Sequence, residues 1–185
     1  MRLIHWNYFL ALEEDLLRLS RFIEFTKKNF KTYSLELAHL LLSSTSEIDV
    51  VLKMLCEPFF SNAKEEKHYR KAIPQNIPAF AKIKVVIPRY ELTFQPWHSW
   101  NKNLTPSWWT AYNKVKHRRN EHYEKASLRN VFQSMAGLFV SNLYLYKDLA
   151  NTGDLSPWAE LFQLEDQYVT GVGMGKAGWS LAYKL

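Results

Sequence analysis

Along the first half of the chain, apolar residues recur three and four positions apart, the spacing of one face of an α-helix. Phe9, Leu12, Leu16, Leu19 and Ile23 keep this rhythm and predict a helix from about Tyr8 to Thr26. Glu13, Glu14, Asp15, Arg18, Arg21 and Glu24 fill the other positions and read as its solvated face, with Glu14 and Arg18 four apart as a surface pair. A second helix is expected from Tyr33 to about Cys56, capped by Thr32 or Ser34. Its apolar stripe runs through Leu37, Leu40, Leu41, Ser44, Ile48, Val51, Leu52 and Leu55. Leu40, Leu41 and Leu42 in succession mark it as central and well covered. Glu47, Asp49 and Lys53 interrupt that segment, either at the surface or in a cleft, and Pro58 ends it.

The rhythm then changes. Ser61 to Ile73 reads as a short polar helix stopped by Pro74. Ile83 to Ile87 is rich in β-branched residues and Arg89 to Phe94 alternates polar and apolar, so an extended pair or β-hairpin is expected near residues 83–95, around Pro88. Pro96-Trp97-His98-Ser99-Trp100 reads as an aromatic loop whose tryptophans pin it to the core. Helix resumes from Pro106 or Ser107 to about His122, and a last long helix spans Glu124 to Leu149 before Asn151-Thr152-Gly153-Asp154 breaks it. A short helix from Pro157 to Phe162 and a Gly-rich tail from about residue 166, flexible or extended, complete the prediction. The pattern is mainly α-helical. No internal repeat or low-complexity linker divides it, and 185 residues suit one domain.

Composition adds limits. Apolar residues make up 47% and aromatics 15%, with seven Trp, enough to build a core without staples. The single cysteine, Cys56, excludes an intrachain disulfide and lies in an apolar run, where a buried thiol is expected rather than a nucleophile. The N-terminus carries no signal-peptide pattern, and no run approaches the roughly 20 apolar residues that cross a bilayer, so a cytoplasmic protein without a membrane span is expected.

The formal charge of +6 permits an anionic partner, and half of it is concentrated in one place. Between Ala111 and Lys125 five Lys or Arg face two Glu, a net of +3. On a helix, Asn113 and His117 share a face, as do Arg118 and His122, and Lys114 lies one turn before Arg118. Arg offers phosphate a forked donor, and His exchanges protons near neutral pH, so the set suits holding and cleaving an RNA phosphodiester by its own 2′-hydroxyl, without a metal. The alternative is a solvated basic face near a helix end. The histidines at 5, 39, 68, 98, 117 and 122 keep no metal-ligand spacing, and no metal or other cofactor is expected. Gly171 to Gly178 imitates a phosphate loop, but Ala177 stands where Ser or Thr should follow Lys176. Gly-x-Ser-x-Gly is absent.

Arg89-Tyr90, Pro96-Trp97, Trp100, Trp108-Trp109, Ala111-Tyr112-Asn113 and Val115-Lys116-His117, followed by Arg118 or Arg119, together resemble a group of bacterial helical proteins associated with the HEPN superfamily. Leu12 to Arg21 and Tyr33 to Lys53 fit the same picture, so the resemblance covers most of residues 8–146. It implies an all-α bundle of four or five helices, often a homodimer. It also implies either a metal-independent ribonuclease of a toxin–antitoxin or phage-defence system or a non-catalytic binding module. The superfamily signature is an Arg, then four to six residues, then a His. Here three residues separate Arg118 from His122, two separate Arg119 from it, and His117 precedes both arginines. Under this resemblance His117 is the acid/base, with His122 as a second. Lys116 and Arg118 hold phosphate beside Lys114 and Arg119, and Asn113 orients His117. Two other readings stand beside it. One is an interaction module, antitoxin-like or accessory, that pairs with itself or a partner protein. The other is a face that binds RNA or a nucleotide without chemistry.

Overall fold

The computed structural model describes residues 2–175 and 177–185, which form six α-helices and five strands. The order is α1 (Ile4–Leu19), α2 (Leu35–Cys56), α3 (Glu66–Asn76), β1 (Val85–Ile87), β2 (Leu92–Phe94), α4 (Ser107–His122), α5 (Leu128–Leu145), α6 (Lys147–Thr152), β3 (Gln163–Leu164), β4 (Val169–Gly175) and β5 (Gly178–Tyr183).

Helix α5 is the one the others surround. Every residue from Ser134 to Tyr144 is buried, so no stripe of it faces water. Helix α2, which the leucine run marks as central, packs on α1, α3, α4 and α5; Leu40 and Leu41 of that run are buried and Leu42 is half-buried. Small residues let the two helices meet: Ser44 and Ser134 share a buried hydrogen bond of 2.8 Å. Ser34 caps α2 by accepting from the Leu37 amide at 3.2 Å, one of the two caps the sequence offered. Ser127 does the same for α5 through the Asn130 amide.

Between β2 and α4 the chain is held by aromatics. Trp97 lies 4.3 Å from Trp100 and 5.1 Å from Trp108, ring centre to ring centre, and Phe80 packs on both Trp97 and Trp100. This stack rests on α5 at Gly137, where a Cβ would stand 3.3 Å from both Trp97 and Trp108. A mid-helix glycine costs about 1 kcal/mol relative to alanine. Here it makes room for two indoles.

An all-α fold is an overstatement. The expected β1–β2 hairpin forms, with Val85 opposite Phe94 and Ile87 opposite Leu92, but β3 adds a third strand on the far side of β1. Two residues are too few to leave a period in the sequence. The Gly-rich tail is extended, as one of its two expected forms, and pairs with itself as the β4–β5 hairpin. Gly173 is needed there, because a Cβ would come within 2.4 Å of the Gly153 carbonyl oxygen at the end of α6. Lys176 of the loop-like motif lies outside the described residues.

Several boundaries also moved. Helix α1 ends at Leu19 rather than Thr26, and Phe25 turns inward against Tyr90 and Phe132. Helix α3 runs past Pro74 to Asn76, although Pro74 has no N–H to give the Arg70 carbonyl one turn back. The last long helix divides at Tyr146 into α5 and α6. The expected helix at 157–162 is absent. The Glu160, Leu161 and Phe162 amides instead donate to the carboxylate of Glu13, at 2.9, 2.9 and 3.1 Å. Glu13, read as solvated, is therefore 2% exposed. The buried apolar residues of all these elements form one cluster.

Candidate nucleic-acid interface

Helix α4 is seated by Trp108, Trp109, Ala111, Tyr112 and Val115, which are buried at helical spacing. Their burial forces the other positions outward. Asn113, Lys114, Lys116, His117, Arg118 and Arg119 are all exposed, and His122 is half-buried. The basic tract is thus a surface held firmly from beneath.

At Arg118 the backbone leaves the helical region, with φ −143° and ψ 53°. The helix is kinked there, so Arg118 and His122 are not stacked across one regular turn. Arg118 meets Glu121 at 3.7 Å, with both side chains largely in water, a contact worth about 0–1 kcal/mol. Among the described residues Asn113 makes no hydrogen bond to His117. His117 stands in solvent with no group beside it that would fix its tautomer.

Two members of the tract turn the other way. Asn113 and Lys116, with Trp109 and Tyr112, line a cleft of about 470 Å³ between α4, α2 and the start of α3. Four residues at i, i+3, i+4 and i+7 form a single stripe of α4. Lys116 lies over the Tyr112 ring, 5.4 Å from its centre. The opposite wall carries Ser46 and Asp49 of α2, and Lys64, Glu65, Glu66, Lys67 and Arg70 of α3 and its approach.

Glu66 fixes that wall. It accepts from the Trp100 indole at 2.9 Å and the Thr105 hydroxyl at 3.0 Å, and Arg70 lies 3.4 Å away while donating to Thr105 at 2.7 Å. Asp49 accepts from Tyr69 at 2.8 Å and is paired with Lys53. Glu47 is elsewhere: it meets His5 of α1 at 2.5 Å, beside the Tyr146 hydroxyl. Of Glu47, Asp49 and Lys53 only Asp49 lines the cleft, and His117 does not line it either. Lys53 touches the cleft only through Asp49. Six residues of helix leave Glu47 and Lys53 pointing about 120° apart.

No family model matches the chain, and neither does any curated protein or solved structure.

Burial pushes the Cys56 thiol up to about 11, the behaviour of a packed hydrophobe and not of a thiolate nucleophile. Among the described residues, no group of three or more His, Cys, Asp and Glu is arranged to hold a metal ion, and no helix is long and apolar enough to cross a membrane. Sequence reasoning missed Lys64, Lys67 and Arg70. Their only signal was the charge run Lys64-Glu65-Glu66-Lys67, which reads equally well as a solvated helix start.

Proposed function

We propose that the chain is a HEPN-like module that binds RNA through its phosphates along α4. The observation that carries this reading is the concentration of four exposed cations, Lys114, Lys116, Arg118 and Arg119, on a helix whose buried positions are locked into the core. Phosphate binding needs accessible cationic donors and no elaborate chemistry. Cleavage asks more, namely an oriented His and a cation aimed at the same phosphate. The kink at Arg118 and the free-standing His117 favour binding over cleavage.

Fluorescence anisotropy with a single-stranded RNA tests the proposal. Affinity should fall steeply with salt, and the Lys114→Glu/Arg118→Glu/Arg119→Glu variant should weaken binding about tenfold or more and flatten the salt slope by about 2. Salt-insensitive binding, or equal affinity of both proteins, would remove α4 from the interface. End-labelled RNA kept in EDTA with the wild type should stay intact. Cleavage that disappears in His117→Ala would replace the binding reading with a ribonuclease.

A second reading has its own observation. Val172, Met174 and Trp179 are exposed on the C-terminal hairpin, with Met174 directly opposite Trp179 in register. An apolar patch of this kind suits a protein partner, and in the simplest case a second copy of the chain. Light scattering should then report a dimer that Met174→Ser/Trp179→Ser converts to monomer. A wild-type monomer counts against self-association.

A further inference from the structure

The cleft beside α4 has an uneven chemistry that its composition hides. Its lining carries carboxylates as well as cations, but every carboxylate is already matched. Asp49 has Lys53 and Tyr69. Glu65 has Lys67 at 2.6 Å and His68 at 3.7 Å. Glu66 has Trp100, Thr105 and Arg70. What remains without a partner among the described residues is a set of donors. Lys64 and Lys116 meet no carboxylate. Arg70, only 16% exposed, gives Nη1 to Thr105 and Glu66 and leaves its Nη2 unbonded; its Nε is buried and out of a ligand's reach. The Asn113 amide and the Ser46 hydroxyl are free as well. A cleft whose acceptors are satisfied and whose donors are not calls for a ligand rich in acceptors.

We propose that this cleft binds a phosphomonoester, the terminal phosphate of an RNA strand whose following phosphates run along α4. The inference rests on the RNA-binding reading and adds an end preference to it. A terminal phosphate carries about −1.5 to −2 at neutral pH against −1 for each internal link. That extra charge matches three cations that line the cleft, Lys64 and Arg70 on one wall and Lys116 on the other. The cleft volume of about 470 Å³ leaves room for a sugar and base beside the phosphate, within reach of Asn113 and Ser46. Lys116 belongs to both features, since it lines the cleft and is one of the four exposed cations of α4. The strand end would enter at Lys116 and the strand would leave toward Arg119.

The test compares RNAs of one sequence carrying a 5′-phosphate, a 3′-phosphate or hydroxyls at both ends, in anisotropy at fixed salt. One phosphorylated end should bind at least about tenfold more tightly than the hydroxyl form. Lys64→Ala should abolish that ratio and leave the affinity of the hydroxyl RNA nearly unchanged. Arg118→Glu/Arg119→Glu should weaken all three RNAs while keeping the ratio. Lys64, Arg118 and Arg119 are exposed, so their variants should retain the wild-type circular dichroism. Adenosine monophosphate, followed by calorimetry, separates a free nucleotide from a strand end. Binding of it that Lys64→Ala removes supports the phosphate cleft even if no RNA binds, and then only the α4 reading fails. Equal affinity for all three RNAs, together with no binding of adenosine monophosphate, overturns the cleft proposal and leaves the α4 reading standing.

Discussion

Replacing Glu13 by alanine is expected to destabilise the protein by about 3–5 kcal/mol, measured by chemical denaturation. Its carboxylate accepts the amides of Glu160, Leu161 and Phe162 from the far end of the chain. Leu161 and Phe162 are buried, so truncation strands their donors where water does not reach. Each stranded donor costs about 1–3 kcal/mol, and loss of the clamp also frees the segment that delivers β3 to β1. Glutamine, which keeps one acceptor oxygen, should cost less. The same carboxyl gives a pH signature. Burial raises its pKa above 4.5, the three amides pull it back, and burial prevails. The folded state thus holds this proton more tightly than the unfolded state. That contribution is complete below the unfolded value and is lost as pH rises through the folded one. Stability of the wild type relative to Glu13→Gln should therefore fall as pH rises above 4.5. A difference independent of pH would mean that the amides cancel burial, and one that grows with pH that they outweigh it.

Trp97→Ala should be comparably damaging, about 3–5 kcal/mol, because it opens a hole between Trp100, Trp108 and α5. Phenylalanine sharpens the test. The Trp97 indole N–H is buried without a partner, so Trp97→Phe removes an unsatisfied donor along with some packing and should cost only about 1 kcal/mol. The Trp108 indole donates to the Pro96 carbonyl at 2.9 Å, so Trp108→Phe orphans that oxygen and should cost about 2 kcal/mol. A calorimetric ranking in which Trp97→Phe is the worse of the two would contradict this account. Such losses would also reach the interface, because Trp108 and Trp109 set the depth at which α4 is seated.

Local signals carried far in this chain. Ser34 was legible as a cap because its hydroxyl bonds an amide three residues on. The alternation of Leu92 to Phe94 was legible because strand side chains change face at every residue. The rows of α4 were legible because its apolar positions keep helical spacing. Features that depend on a distant partner were not. Glu13 looked like any charged residue of a surface helix, since its three donors lie about 150 positions away. Strand β3 leaves no pattern because it borrows its existence from β1. The Gly-rich motif resembled a phosphate loop, and Gly173 proves to be a point of close approach to Gly153.

The same division runs through the site. The sequence by itself determined that α4 forms, that one side of it is apolar and that its remaining positions concentrate positive charge, because each of these follows from residues a turn or two apart. Only the tertiary structure decided that Asn113 and Lys116 face a cleft while His117 and Arg119 face water. It also decided that Lys64 and Arg70 stand opposite Lys116, and that Glu47 belongs with His5 instead. The physical reason is that periodicity fixes which face a side chain occupies on its own helix. What that face meets is set by how α2, α3 and α4 pack on α5, and a single helix carries no record of its neighbours.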